Sequence, residues 1–256
     1  MTFDDVLASR SGTVYADFLL PHLDSETRLL DVGCGEGAIS YALAAVAGSV
    51  IGIDAEDDFD GARQHALRHG VANVEFRIGD AYALEFPDAS FDACFCHSAL
   101  EAMDRPVDAL REMHRVLRPG GLVAVASVDY DGILLSGPRQ DLLRTFYRVR
   151  EQLWLLTGSA DPYRGKALRG LLAAAGFADV TGSSTYISYG TQEALAPFAA
   201  DRAEECRDEW FAGEALERGL ATQAELDAMA EAWQVWGDSP AAYFAFAWCR
   251  ALGTRP

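Results

Sequence analysis

The amino-acid sequence predicts an α/β fold, in which a doubly wound, mostly parallel sheet of seven strands is covered by helices on both faces. Between residues 28 and 126, five short apolar segments typical of buried strands alternate with helical segments. Two further β-rich segments follow at 179–189 and 243–249. Strand–helix–strand crossovers are right-handed, so the alternation brings the carboxyl ends of the parallel strands to one edge of the sheet.

The first five strands are predicted from apolar runs and from a period-two pattern in the third. Apolar side chains at helical spacing predict the helices between them, with Pro106 in the first turn of one helix and Gly70 at the end of another. The predicted strands are Arg28–Val32, Ser49–Asp54, Val74–Asp80, Phe91–Cys96 and Leu122–Ala126, and the helices with clearest bounds are 57–69 and 106–117.

The second half of the chain contains helical patterns at 138–160, at 166–175 and in an acidic stretch at 192–236. No linker of flexible composition divides the sequence. We therefore expect a single domain over residues 1–256, with two helical insertions at 130–165 and 192–240.

The chain of 256 residues has 39 acidic and 21 basic residues, a formal charge of −18. Such a charge repels phosphate backbones and anionic lipid, so neither nucleic acid nor a membrane surface is an expected partner. No apolar run is long enough to span a membrane, and the first residues lack the basic start of a secretory signal. We expect a cytoplasmic protein; the oligomeric state stays open.

The five cysteines, an odd number, do not form a disulfide framework. Cys94 and Cys96 share one face of a predicted strand, which favours buried thiols over metal ligands. The five histidines also lack metal-site spacing, so no metal is expected.

The central motif is Asp31-x-Gly33-x-Gly35-x-Gly37, which joins the first strand to a helix, with Asp54 at the end of the second strand. Glycines at such a turn let a ligand approach the backbone, and an acidic residue ending the second strand can accept both ribose hydroxyls. This pattern predicts a nucleoside cofactor at the carboxyl ends of the strands.

Two cofactors fit this pattern. The spacing Gly33-x-Gly35-x-x-Ala38 matches the loose dinucleotide fingerprint, which leaves a nicotinamide-dependent oxidoreductase as an alternative. Asp31 disfavours it, because a carboxylate beside a pyrophosphate costs free energy in a partly dry site. S-adenosylmethionine has no phosphate and carries an ammonium and a sulfonium, which a carboxylate attracts.

Five linked motifs over residues 28–128 resemble those of the class I S-adenosylmethionine-dependent methyltransferases, in the small-molecule branch similar to the ubiquinone/menaquinone-biosynthesis enzymes. The motifs are Leu29-Leu30-Asp31-Val32-Gly33-Cys34-Gly35-Glu36-Gly37, Ile51-Gly52-Ile53-Asp54, Gly79-Asp80-Ala81, Leu84-x-Phe86-Pro87-Asp88-x-Ser90-Phe91-Asp92 and Leu117-Arg118-Pro119-Gly120-Gly121. The resemblance implies a Rossmann-like sheet with helical lid insertions, a cofactor-binding core at 28–128, S-adenosylmethionine as cofactor, and methyl transfer in small-molecule biosynthesis.

The resemblance also implies which residues bind the cofactor. Asp31 and the glycine loop hold the methionine end, Asp54 holds the ribose, and Asp80 faces the adenine amine unless it only caps a turn. The implied cofactor-binding residues are Asp31, Gly33, Cys34, Gly35, Asp54, Ala55, Asp80, Ala81, Cys96 and His97.

His97 is the candidate catalytic residue, because an imidazole titrates near neutral pH and can accept a proton from the methyl acceptor. The alternative is that it only lines the cofactor cleft. The family often has Leu-Glu-His after the fourth strand, whereas this chain has Leu100-Glu101-Ala102, so that histidine is absent. A cofactor-binding relative that catalyses a cyclisation or rearrangement without methyl transfer, or that acts as a partner of a biosynthetic enzyme, therefore stays open.

The insertions at 130–165 and 192–240 are implied to cover the acceptor as a lid. Tyr130 is the candidate substrate residue, in an Asp129-Tyr130-Asp131 segment predicted to follow the fifth strand; the alternative is a solvated turn ended by Gly132. Aromatic side chains in the insertions predict an apolar or aromatic acceptor, or else ordinary helix packing: Phe146, Tyr147, Trp154, Tyr163, Trp210, Phe211, Trp233 and Trp236.

Overall fold

The computed structural model describes residues 12–256, within which seven strands form one sheet. The strands are β1 (Arg28–Val32), β2 (Ser49–Asp54), β3 (Val74–Ile78), β4 (Phe91–His97), β5 (Leu117–Ser136), β6 (Ala178–Tyr189) and β7 (Tyr243–Thr254). Their order in the sheet is β3-β2-β1-β4-β5-β7-β6. Strands β1 to β5 pair in parallel. The predicted fold class is confirmed.

Helices follow β1, β2 and β4 as the apolar periodicity predicts, whereas a loop connects β3 to β4. Gly70 ends the helix between β2 and β3 with φ +67°, and Pro106 begins the helix between β4 and β5. Both positions are expected for these residue types. The helices are α1 (Gly12–Tyr15), α2 (Ala38–Leu43), α3 (Asp60–His69), α4 (Pro106–Val116), α5 (Gln140–Thr157), α6 (Arg164–Ala174), α7 (Gln192–Glu205), α8 (Glu214–Glu217) and α9 (Gln223–Gly237).

The chain divides into two compact units. The first comprises the residues up to Ser127 together with 165–183 and 249–256, and the second comprises 128–164 and 184–248. The predicted insertions at 130–165 and 192–240 fall in the second unit, except for Gly165. Their role as a lid stays a prediction.

In the first unit, alternate side chains of the strands pack on opposite faces of the sheet. Leu30 and Val32 of β1 belong to a core that includes α4 and α6, whereas Leu29 packs on the other face against Ile39 and Leu43 of α2. This two-sided burial explains why the parallel strands are nearly continuous apolar runs.

Strand order reverses at β1. From β1 the chain proceeds outward through β2 and β3, and then returns to the other side of β1 to form β4 and β5. In an open parallel sheet, this reversal leaves a crevice at the carboxyl ends of the two central strands, where ligands bind.

One sequence prediction for the fifth strand is wrong. The segment Asp129-Tyr130-Asp131 neither follows the strand nor forms a solvated turn, because β5 continues to Ser136 and Asp129 is only 4% exposed. Gly132 packs against β7, since a Cβ built on it would lie 2.4 Å from Cβ of Ala247. Pairing with a distant strand overrides the local turn signal.

The second unit has its own aromatic core. Phe146, Phe211, Trp233 and Trp236 are fully buried there, with the Phe146 and Phe211 rings stacked at 4.7 Å. For these four residues the structure shows ordinary packing. No helix within residues 12–256 has the length and apolar composition of a membrane span.

Candidate functional site

A cavity of about 870 Å³ lies in the first unit, at the carboxyl ends of β1, β2, β3 and β4. Its position is the one that the reversal of strand order predicts, and its size is typical of small-molecule sites. Seven of the predicted cofactor residues line it: Gly33, Gly35, Asp54, Ala55, Asp80, Ala81 and His97.

The other three predicted residues, Asp31, Cys34 and Cys96, are not on the cavity wall. Asp31 is 2% exposed and Cys96 is fully buried, beneath the residues that line the cavity. Burial, together with the charge of Asp31, raises the pKa of the Cys96 thiol, so that it stays protonated. All five cysteines are free thiols.

The glycine loop is held against β2 by its own backbone. The N–H groups of Gly33 and Cys34 both donate to the carbonyl oxygen of Ile53, at 2.8 and 3.0 Å. Gly33 has φ +74°, and a Cβ on it would lie 2.3 Å from Cβ of Ala99. Only glycine fits there, because the turn after β4 lies directly against the loop.

Asp54 ends β2 and contacts the same loop. Its Oδ2 accepts a 2.7 Å hydrogen bond from the N–H of Gly35, which has φ +53° and open space where a side chain would begin. The carboxylate is thereby oriented on the cavity wall.

Asp31 is a buried carboxyl with a hydroxyl donor. Ser40 of α2 donates to its Oδ2 at 2.5 Å. Burial raises the pKa of Asp31 to about 7, assisted by the negative charge of Asp54 and opposed by the Ser40 hydrogen bond.

Asp80 takes part in a turn, as its alternative interpretation proposed. Its Oδ1 accepts the N–H of Tyr82 at 2.8 Å, while the residue also lines the cavity. Arg115 of α4 holds the rest of this loop, since its guanidinium donates to the carbonyl oxygens of Leu84 and Phe86 at 2.7 and 2.8 Å.

His97 is the last residue of β4 and lines the cavity although it is only 6% exposed. The Tyr15 ring of α1 meets the imidazole edge-on at 5.1 Å, and the Phe95 ring stacks at 6.0 Å. Aromatic contacts therefore fix the orientation of the ring.

Sequence reasoning missed several cavity residues. Tyr82 follows Asp80, and its ring faces the guanidinium of Arg105 at 4.5 Å. Ser98, Ala99, Ala102 and Met103 form the wall after β4. The small side chains in this stretch were a signal that the chain passes close to another element.

The charge of the cavity decides which nucleoside cofactor fits. Asp54, Asp80 and Glu85 line it, and within the described chain, residues 12–256, no arginine or lysine does. A pyrophosphate would meet carboxylates without an arginine or lysine, whereas the carboxylates stabilise an ammonium and a sulfonium. No group of three or more metal-ligating side chains occurs in the same described residues.

Comparison with known proteins agrees with this geometry. A family model described as a methyltransferase domain matches residues 23–155, slightly more than half of the chain. The chain belongs to the class I S-adenosylmethionine-dependent methyltransferases. It is thus a methyltransferase, and its cofactor is S-adenosylmethionine, which replaces the nicotinamide alternative.

Two relatives show how far the similarity extends. An uncharacterized methyltransferase of Schizosaccharomyces pombe is 28% identical, over 93% of this chain and 88% of its own length. A ubiquinone/menaquinone biosynthesis C-methyltransferase of Rhodopseudomonas palustris is 36% identical, over 63% of this chain and 67% of its own length.

Solved structures share the fold. The YcgJ protein of Bacillus subtilis superposes with a TM-score of 0.61 at 18% identity, covering 94% of this methyltransferase and 98% of YcgJ. The [4+2]-cyclase SpnF gives a TM-score of 0.56 at 24% identity, covering 98% of this chain and 80% of its own.

Proposed function

We propose that this methyltransferase transfers the methyl group of S-adenosylmethionine to a small aromatic or apolar acceptor. The observation that carries the proposal is the cavity at the reversal of strand order, lined by carboxylates and, among the described residues, by no arginine or lysine. The 36% identical relative, which acts in quinone biosynthesis by its name, supports an aromatic acceptor.

A second cavity, of about 580 Å³, lies within the second unit. Its lining combines aromatic and aliphatic side chains with charged ones: Tyr130, Ile133, Leu135, Tyr147, Asp131, Asp141, Arg144, Arg148 and Glu151. The Tyr130 ring packs at 5.0 Å from the Trp154 ring. We propose that Tyr130 contacts the acceptor through its ring; burial raises the pKa of its phenol to about 12, so the hydroxyl stays neutral.

Different residues around the first cavity would bind different parts of the cofactor. The loop of Gly33, Cys34 and Gly35, with Asp31 beneath the cavity wall, would hold the methionine end, and Asp54 would bind the ribose hydroxyls. Ala55, Asp80 and Ala81 would surround the adenine, and Cys96 and His97 would lie beneath the methionyl arm. When bound, S-adenosylmethionine supplies a methyl group on a positively charged sulfur. The neutral thioether that remains after transfer is a good leaving group.

The protein itself has few chemical tasks in such a reaction. It aligns the acceptor and excludes water from the cavity. Where the acceptor carries a proton that must be removed, His97 would take it on an imidazole nitrogen. The alternative, in which His97 only lines the cavity, predicts no change of mechanism when the ring is replaced.

Two measurements test the function. Calorimetry should show binding of S-adenosylhomocysteine and none of NAD⁺. Incubation with methyl-labelled cofactor and a panel of hydroquinones and phenols should give labelled product. A product without label would instead indicate a cyclisation or rearrangement, and absence of S-adenosylhomocysteine binding would contradict the cofactor site.

A further inference from the structure

A buried carboxylate stands behind the cavity wall next to His97. Glu101, in the turn that follows β4, is 7% exposed. Its Oε1 accepts a 2.8 Å hydrogen bond from the hydroxyl of Ser98, and its Oε2 accepts a 2.6 Å bond from the hydroxyl of Ser127. Each oxygen thus accepts a hydroxyl hydrogen, so one carboxyl group orients both serines.

Of the two serines, only Ser98 lines the cavity; Ser127 is fully buried at the end of the first unit. A serine hydroxyl has a single hydrogen, and that of Ser98 is directed at Glu101. The oxygen of Ser98 therefore has only acceptor capacity left for a ligand. Donation of that hydrogen to Glu101 polarises the same oxygen further.

Ser98 is held in this position by a strained backbone conformation. Ser98 has φ +56°, a left-handed conformation that a residue with a Cβ rarely adopts, and its N–H donates to the carbonyl oxygen of Ala126 at 2.9 Å. The next residue, Ala99, lies against Gly33 of the glycine loop. Ser98 is thereby placed beside the loop proposed above to hold the methionine end of the cofactor.

We infer that Ser98, oriented by Glu101, is a hydrogen-bond acceptor for the α-ammonium group of S-adenosylmethionine and S-adenosylhomocysteine. This assignment rests on the proposed function and adds a specificity-determining side chain to it. Asp31 is too deeply buried to line the cavity, so Ser98 provides a polarised oxygen on the wall itself. Glu101 acts as a positioning residue through Ser98.

The test compares two ligands. S-adenosylhomocysteine carries the α-ammonium group, and 5′-methylthioadenosine lacks the amino-acid end. Ser98→Gly removes the hydroxyl and suits the positive φ, so the fold is retained. By calorimetry we expect Ser98→Gly to weaken S-adenosylhomocysteine about 10- to 100-fold, the range for a hydrogen bond to a charged group, and to leave 5′-methylthioadenosine within about two-fold.

Ser127→Ala is the matched control, since it removes the other hydroxyl from the same carboxylate without altering the cavity wall. It should lower Tm but keep the dissociation constant of S-adenosylhomocysteine within about two-fold of wild type. Glu101→Gln replaces one of the two accepting oxygens with an amide N–H donor and so disturbs the orientation of Ser98; it should weaken S-adenosylhomocysteine at least several-fold, with 5′-methylthioadenosine little affected.

Equal affinity of wild type and Ser98→Gly for S-adenosylhomocysteine would overturn the inference, as would an equal loss for both ligands. If wild type itself does not bind S-adenosylhomocysteine, the proposed function fails first, so the two failures are distinguished.

Discussion

The hydroxyl of Ser40, at the start of α2, donates a 2.5 Å hydrogen bond to Oδ2 of Asp31 on β1, inside the core of the first unit. Asp31 is the acidic residue that opens the glycine motif, yet it lies beneath the cavity and not on its wall. The cofactor site is therefore built over a buried acid whose pKa is about 7.

The raised pKa of Asp31 predicts a pH-dependent stability in the protein without ligand. In the unfolded chain the carboxyl has its ordinary pKa of 3.8, whereas in the fold it is about 7. Between these values the folded state holds a proton that the unfolded state has lost, so this contribution to stability is present below about pH 4 and is lost as pH rises to about 7. Since each pKa unit corresponds to about 1.4 kcal/mol, the loss is about 4 kcal/mol.

Urea unfolding of wild type and Asp31→Asn from pH 4 to pH 8 tests this prediction. Other carboxyls titrate in both proteins, so only the difference between the two curves is informative. Asparagine cannot ionise, and Asp31→Asn should gain stability relative to wild type as pH rises. Two parallel curves would show that Asp31 has an ordinary pKa.

Substitution by alanine should affect mainly the stability of the fold at Gly33 and mainly ligand binding at Gly35. Gly33→Ala adds a Cβ 2.3 Å from Cβ of Ala99 and should destabilise the fold by more than about 2 kcal/mol. Gly35→Ala meets no atom within 4 Å, so it should cost only about 1–2 kcal/mol from its φ of +53°, while its methyl group occupies the cavity and abolishes binding of S-adenosylhomocysteine.

Thermal unfolding and calorimetry separate the two glycine effects. The double variant Gly33→Ala/Ala99→Gly removes the clash and should recover part of the lost Tm. If Gly35→Ala binds S-adenosylhomocysteine as wild type does, the ligand does not approach this backbone.

Asp54 is expected to contribute binding energy and little stability. Asp54→Asn keeps an oxygen for the N–H of Gly35 and removes the charge, so it should weaken S-adenosylhomocysteine by about 1–3 kcal/mol with Tm nearly unchanged. Asp57→Asn, at an exposed carboxylate three residues later that pairs with Arg63, is the control and should bind as wild type. An unchanged dissociation constant for Asp54→Asn would remove Asp54 from the ribose site.

His97→Gln tests proton transfer. If the imidazole accepts a proton, kcat should fall at least about 100-fold and the acidic limb of the pH–rate profile should disappear, while S-adenosylhomocysteine affinity changes little. If the ring only lines the cavity, the profile keeps its shape and kcat stays within a few-fold of wild type.

Arg115 is expected to stabilise the loop after β3. It donates to the carbonyl oxygens of Leu84 and Phe86 and pairs with Glu112 at 2.8 Å, with its side chain 31% exposed. Lysine cannot satisfy these partners at once, so Arg115→Lys should lower the free energy of unfolding by about 2 kcal/mol in urea titrations.

Arg111→Lys on the same helix is the control for the Arg115 variant. Arg111 makes one exposed ion pair with Asp108, and its replacement should change stability by less than about 0.5 kcal/mol. Equal effects of the two variants would show that the loop does not depend on Arg115.

The sequence allowed the first five strands, the glycine loop and Asp54 to be predicted, because these depend on local apolar patterns and on the order of strands. Burial of Asp31 was not predicted, since a motif shows which residues are adjacent in the chain but not which side chain points inward. The polar segment around Tyr130 was misassigned as lying after the strand, because its partner strand lies more than a hundred residues later.

The Glu101 network was missed for a related reason. Ser98, Glu101 and Ser127 belong to a strand end, a turn and another strand, and only the fold brings them within hydrogen-bond distance. The family pattern Leu-Glu-His differs from this chain at Ala102 and agrees with it at Glu101, so the pattern alone does not distinguish the glutamate.

All residues that line the first cavity lie between Val32 and Met103, whereas the second unit is made of two later segments, 128–164 and 184–248. A gene can therefore acquire, exchange or lengthen either late segment without touching a codon of the donor pocket. Such separation gives evolution two independent regions to vary, and chimaeras between relatives, with junctions after residues 127, 164, 183 and 248, would exchange the whole second unit without altering the donor pocket.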